Sequence, residues 1–270
     1  MTLRTGLWPV LFLCAGFFQS VQAEDGYRDM PAISIIIDDM GKRLESGHRV
    51  LALPGPVACA FLPRAQHTDY LARQAHAVGR EILLHLPMDS VDGRRLDAGA
   101  VTLDMTERQF AATVVADLAA VPHVSGINNH MGSLLTRHPG HMLWLMRVMQ
   151  QQAPLFFIDS RTTVATVARR VAMENAVPNM ERNVFLDNEP GADAIAFQFE
   201  RLLRLAEKQG TALAIGHPHP QTLAFLEQRL PRLGQRGLRL LPVRDLIDIQ
   251  QQGENTWQAS WSPSRRGAKN

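Results

Sequence analysis

The sequence predicts a single α/β domain of parallel strands joined by crossover helices. Two observations carry this. From residue 33 onward, short runs rich in Val, Ile, Leu and Phe alternate with longer segments of helical period, the pattern of successive strand–helix–strand units. Eight such apolar runs occur, Ile33–Ile37, Val57–Phe61, Glu81–Leu86, Val124–Asn128, Leu155–Ile158, Asn183–Leu186, Ala212–Ile215 and Leu238–Leu241, which is close to the number that closes a barrel.

The segments between the runs carry their own punctuation. Asp104 or Thr106 is placed to cap a helix running through Ala120, and Pro139 opens another, since proline fits the first helical turn, where its missing N–H has no partner to lose. Met142, Leu145, Met146 and Met149 recur at helical spacing in that second helix and form a core-facing stripe rather than a set of sulfur ligands. The longest stretch without a period, Pro87–Leu103, holds Asp92, Gly93 and Gly99 and is expected to pass over the top of the barrel as a functional loop. No internal repeat or interdomain linker is present. The domain is expected over residues 31–250, with residues 251–270 a polar, disordered tail.

The N-terminus is of a different kind. Arg4, the apolar run from Leu7 to Phe18 and the small residues Val21 and Ala23 form a secretory signal over residues 1–23, cleaved before Glu24. The run is about a dozen residues, where a spanning helix needs roughly 20, so the processed chain is expected to be periplasmic or secreted with no stable membrane span. Leu13 before Cys14 does not suit a lipoprotein signal. Cleavage removes Cys14 and leaves Cys59 alone, so no intramolecular disulfide forms and stability rests on an ordinary core. A net charge of +2 offers no electrostatic footprint for nucleic acid.

Polar residues collect where the apolar runs end. Asp38 and Asp39 follow the first run, His85 ends within the third, and Asn128, Asn129 and His130 close the fourth. Asp159, Ser160 and Arg161 follow the fifth, Asp187 and Asn188 the sixth, and His217 and His219 the seventh. Strand ends of an α/β barrel converge on one rim, so residues far apart in the chain become one pocket. Two adjacent carboxylates beside a buried strand repel each other and lose solvation unless a cation or a shared proton compensates. Aspartate with two or three histidines is the ligand set of Zn²⁺ or a similar divalent ion. A carboxylate just outside such a site can take a proton from water, and a histidine opposite can protonate a leaving amine. Competing chemistries are absent: there is no G-x-S-x-G elbow, no phosphate-cradling glycine loop, and Cys59 lies inside an apolar strand.

The blocks IIIDDMG (Ile35–Gly41), EILLHLPM (Glu81–Met88), GINNHMGS (Gly126–Ser133), FFIDSRT (Phe156–Thr162), RNVFLDN (Arg182–Asn188) and AIGHPHP (Ala214–Pro220) resemble, in this order, the divergent polysaccharide deacetylases, relatives of the NodB-homology carbohydrate esterases. The resemblance spans about residues 31–248. It implies a distorted (β/α)7 barrel, a divalent metal, most simply Zn²⁺, and hydrolysis of acetamido groups on an envelope polysaccharide or peptidoglycan-like glycan. It further implies Asp38 as general base, Asp39 and His85 as metal ligands and His217 as general acid, with Asp159 and Arg161 orienting His217 or the substrate. The family's His-x-x-x-His motif is broken here, because Asp89 stands where the second histidine is due, and His130 is expected to replace that ligand. Asn128, Asn129 and Arg182 are the expected substrate contacts; Arg161 and Arg182 are equally placed for ion pairs with Asp159 or Asp187. A catalytically inactive glycan- or protein-binding scaffold, or a metallohydrolase for another amide or ester, remains the alternative function.

Overall fold

The computed structural model describes residues 30–152 and 154–261; the expected signal segment and residues 262–270 lie outside them. Nine strands alternate with eight helices among these residues. The strands are β1 (Ala32–Met40), β2 (Ala58–Phe61), β3 (Ile82–Met88), β4 (Gly126–Met131), β5 (Phe156–Asp159), β6 (Asn179–Glu181), β7 (Val184–Phe185), β8 (Thr211–Gly216) and β9 (Arg239–Leu240). The helices are α1 (Leu44–Leu51), α2 (Thr68–Ala77), α3 (Glu107–Ala120), α4 (Pro139–Gln151), α5 (Ala168–Glu174), α6 (Ala192–Gln209), α7 (Pro220–Arg229) and α8 (Val243–Trp261).

All pairings are parallel, in the order β6-β5-β4-β3-β2-β1-β8-β7, with β9 beside the start of β1. β6 and β7 lie at opposite ends of this order yet are separated by only two residues, and the backbone N–H of Arg182 donates to Asp159 while that of Asn183 donates to Leu213. One extended segment therefore leaves β5 for β8 partway along its length and bridges the seam, giving seven staves around a distorted barrel. The apolar-run reading found the second half of this segment and missed β6, whose sequence, Asn179-Met180-Glu181, has no apolar run.

Side-chain alternation divides the staves into two faces. Ala32, Ile36, Leu83, Phe156, Ile158 and Ile215 form one cluster, which Val243, Leu246 and Ile247 of α8 join. The alternating residues Ile33, Ile35, Cys59, Leu84 and Phe157 belong to the larger cluster shared with the surrounding helices. α8 lies at the end where β1 starts, since β9, just before it, pairs with Ala32 and Ile33. Its first N–H groups are capped by the Glu81 carboxylate, which accepts from Val243 and Arg244 at 2.6 and 3.2 Å, satisfying donors that a helix start leaves free. The opposite, carboxyl-terminal end stays open. α8 continues through Trp261, past Gln250 where the polar tail was expected to begin; its Gln-rich composition is polar but helix-compatible.

Local chemistry sets the other helix starts. Thr106, not Asp104, caps α3, in a reciprocal box with Gln109, and Pro139 and Pro220 open α4 and α7. Met142, Leu145, Met146 and Met149 are buried in the core. Among the described residues no helix is long and apolar enough to cross a membrane.

Candidate metal centre

Strand parity decides which polar residues enter the barrel mouth. Asp38 continues the inward face of Ile36, and His85 that of Leu83; Asn128 lies beside His85 in the β3–β4 register. Asp39 would point outward on a regular strand. Instead it adopts φ 57°, and the β1–β2 register shifts between Ile37 and Met40. A bulge of this kind re-aims a side chain, and aspartate tolerates the left-handed backbone better than most residues. Both members of the acid pair thereby face the same site. Met131 and Arg161, at φ 56° and 49°, place similar kinks after β4 and β5, so unusual backbone gathers on this rim.

Three ligand-type atoms converge. Asp39 Oδ1 lies 3.6 Å from His85 Nε2 and 3.4 Å from His130 Nδ1, and the two ring nitrogens are 3.0 Å apart. The far side of each ring identifies its tautomer. Asn128 donates from Nδ2 to Asp38 Oδ1 at 2.8 Å, which turns its Oδ1 toward His85 Nδ1, 2.9 Å away; that nitrogen must carry the proton, leaving Nε2 as a lone pair. His130 Nε2 lies 3.1 Å from Asp97 Oδ2, and a carboxylate at that distance favours the proton on Nε2 and the lone pair on Nδ1. Burial, the largest influence on both rings, pushes the pKa of His85 well below its ordinary value and that of His130 below it, so both are neutral at pH 7. Asp39 Oδ1 is buried without a hydrogen-bond partner. Burial opposes ionisation of Asp39, but the His85 and His130 rings and Lys42, whose Nζ is 3.1 Å from Oδ2, outweigh it. Two lone pairs and an orphaned carboxylate oxygen facing one another repel unless a cation sits among them. This donor set fits a divalent metal, and Asn128 beside His85 and Asp97 beside His130 hold the two rings in position.

Beside it lie two proton-handling groups. Asp38 is 3% exposed, and burial drives its carboxyl up to about 7 despite the His217 ring and the Asn128 amide. His217 Nδ1 contacts Asp187 Oδ1 at 2.9 Å, while Asp187 Oδ2 accepts from the His217 backbone N–H at 2.7 Å and from Thr222 Oγ1 at 2.8 Å. Burial works against the charged ring, but the Asp187 bond and the nearby Asp38 carboxylate prevail and raise its pKa. Asp187, His217 and His219 also lie close enough to chelate, yet Asp187 already accepts three bonds, which fix the His217 ring in place.

Removing the Asp187 charge tests that orientation. His217 stays protonated to higher pH than an ordinary imidazole, so activity that needs it falls as pH rises through its raised pKa. In Asp187→Asn that basic limb is expected to move to lower pH, with rate at pH 8 down on the order of tenfold or more; NMR titration of the His217 ring reads the shift directly, and an unmoved ring would refute it.

A cleft of about 480 Å³ opens on these groups, lined by Asp38, His85, His130 and His217 together with Arg94, Arg161, Arg182 and Phe185. Several expected site residues are placed differently. Asp159 has the outward parity of Phe157 and turns away from the cleft, accepting from Arg161 N at 2.9 Å, Thr166 Oγ1 at 2.8 Å and Arg169 N at 3.4 Å; it organises the β5–α5 loop, and Asp187 is what orients His217. Asn128 is fully buried and joins Asp38 to His85, so it has no surface for substrate. Asn129 lines the cleft but is 1% exposed and spends its amide on Met131 O and Ser160 N, each at 2.8 Å. Arg161 pairs with Glu181 at 2.9 Å. Arg182 donates to the carbonyls of Ser160 and Arg161 at 2.7 and 2.9 Å and stacks over Phe185 at 4.9 Å; both arginines still line the cleft. Cys59 is buried, which pushes its thiol up to about 12, and it is inert core. Asp97, Lys42 and Asp187 are the contributors that residue-by-residue reading missed. Asp187 had a signal, a carboxylate directly after an apolar run; Asp97 and Lys42, in loops, had none.

A family model described as divergent polysaccharide deacetylase matches residues 35–247. An uncharacterized protein of Haemophilus influenzae is 36% identical over 226 residues, 83% of this chain and 76% of that protein. Among solved structures, an uncharacterized protein from Agrobacterium tumefaciens superposes with a TM-score of 0.77 at 19% identity, over 83% of this chain and 94% of that one. The peptidoglycan deacetylase PdaC from Bacillus subtilis gives 0.51 at 11% identity, over 87% and 99%. The two structural likenesses concern the fold.

Proposed function

The chain belongs to the divergent polysaccharide deacetylase family, and from that membership we propose that it is a metal-dependent hydrolase removing acetyl groups from an N-acetylated glycan of the cell envelope. The observation that carries the reading is the convergence of three ligand-type atoms, Asp39 Oδ1, His85 Nε2 and His130 Nδ1, on one point. A divalent ion held there, with Zn²⁺ the best match to one carboxylate and two imidazoles, supplies Lewis acidity toward the acetyl carbonyl and toward water.

The chain's own groups handle the protons. Asp38, held by Asn128, accepts the proton that the attacking water gives up. His217, kept protonated by Asp187, delivers one to the sugar nitrogen as the C–N bond breaks, so acetate and a free amine leave and the protons balance. Two titratable groups with opposed tasks, each shifted by its surroundings, are what such a division requires. Arg161 and Arg182 shape the cleft wall where the rest of the sugar lies. The leader-like residues 1–23 support export and hence an envelope substrate.

The test is acetate release from peptidoglycan and from N-acetylglucosamine oligomers by the zinc-loaded protein. Release that stops on chelation and returns with zinc is expected; a folded, zinc-loaded protein that frees no acetate from either substrate would refute the activity.

A further inference from the structure

We propose that the loop between β3 and α3 is latched over the metal centre by Asp97, so that metal occupancy and the position of this loop are coupled; this rests on the metal-centre reading above. The loop's ends are joined at its base, where Met88 bridges Val101 and their neighbours exchange backbone bonds, Asp89 N to Val101 O at 3.1 Å and Val101 N to Pro87 O at 2.9 Å. Its C-terminal limb is packed down: a Cβ on Gly99 would lie 2.6 Å from the buried Asp117 carboxylate of α3. Its N-terminal limb, Val91–Arg95, is exposed throughout. Asp97 stands between the two limbs.

From there its Oδ2 reaches two site residues. It lies 3.1 Å from His130 Nε2 and 3.6 Å from Lys42 Nζ, which in turn contacts Asp39 Oδ2 at 3.1 Å. Two of the three converging ligands are thus tied, directly or through one lysine, to a single carboxylate on a loop. As a surface contact alone, a half-exposed carboxylate contributes little. Its leverage comes from His130: a carboxylate 3.1 Å from Nε2 favours the tautomer whose lone pair is on Nδ1, and a ring polarised toward a cation is attracted more strongly to that carboxylate. Coupling of this kind is reciprocal, so whatever factor the latch adds to metal affinity, the metal adds to latching of the loop. Asp97 is a positioning residue, acting through His130.

Two readouts on the full chain, stripped of metal, test this. In zinc titrations, Asp97→Ala is expected to bind about 10–100-fold more weakly than wild type, with Asp97→Glu recovering part of the loss. In limited proteolysis, cleavage after Arg94 and Arg95 is expected to slow when zinc is added to wild type and to be indifferent to zinc in Asp97→Ala. Equal zinc affinity in wild type and Asp97→Ala, or wild-type cleavage at these arginines that zinc does not change, overturns the latch while leaving the metal centre standing. A wild-type protein that binds no zinc overturns both.

Discussion

Asp38→Asn is expected to lower deacetylation by about 10²–10⁴-fold while zinc content stays at the wild-type level. The substitution keeps the shape of the side chain and an oxygen for the Asn128 amide, which donates to Asp38 at 2.8 Å, but removes the carboxylate that the proposed reaction uses to take a proton from water. Asp38 is not among the three converging ligands, so metal binding and turnover separate in this variant. Stability should move the other way. Burial raises the Asp38 carboxyl to about 7, so in the metal-free protein the folded state holds a proton that the unfolded chain releases from about pH 4 upward, and stability falls as pH rises through that window. The metal-free Asp38→Asn protein is therefore expected to melt no lower than wild type at pH 8. A variant that retains full turnover would remove Asp38 from the reaction; one that melts far below wild type would mean the carboxylate is a structural element.

Asp39→Asn is expected to have the complementary signature, losing zinc and activity together. Its affinity should fall by at least the 10–100-fold that loss of a ligand's supporting partner costs, because here the ligand itself loses its charge. Asparagine is the informative replacement. Position 39 has φ 57°, which asparagine accepts as readily as aspartate, so backbone strain is unchanged and the loss is confined to the side-chain charge, which serves the buried, orphaned Oδ1 and the Lys42 ion pair at Oδ2. Isothermal titration with zinc beside acetate release distinguishes the two acids: Asp38→Asn binds and does not turn over, Asp39→Asn does neither. Identical behaviour of the two variants would contradict the division of labour between neighbouring residues. Wild-type zinc affinity in Asp39→Asn would remove the carboxylate from the centre.

Much of this site was legible before any coordinates. The alternation of apolar runs with helical segments predicted parallel staves, and parallel staves place their carboxyl ends on one rim. That is why Asp38, His85, His130 and His217, spread over most of the chain, could be assigned to a common pocket. Reading failed where a residue's position along a strand does not determine the direction it faces. Asp159 follows its apolar run just as Asp38 follows Ile33–Ile37, but it falls on the outward parity and serves a loop. Asn128 falls on the inward parity and is so deep that it holds other side chains. β6 escaped because a segment that changes partners midway buries too little on either side to need an apolar run.

The residue types and their order along the chain determined the class of fold, the family and the kind of chemistry, because apolar period and strand-end polarity are local properties written residue by residue. How Asp39 comes to face the two histidines, which carboxylate orients His217, and that a loop aspartate lies against His130 were decided only in three dimensions. Those outcomes depend on a bulge that turns Asp39 inward, on parity across separate staves and on a loop folding back over the rim, and contacts between distant segments leave no periodic trace in the sequence.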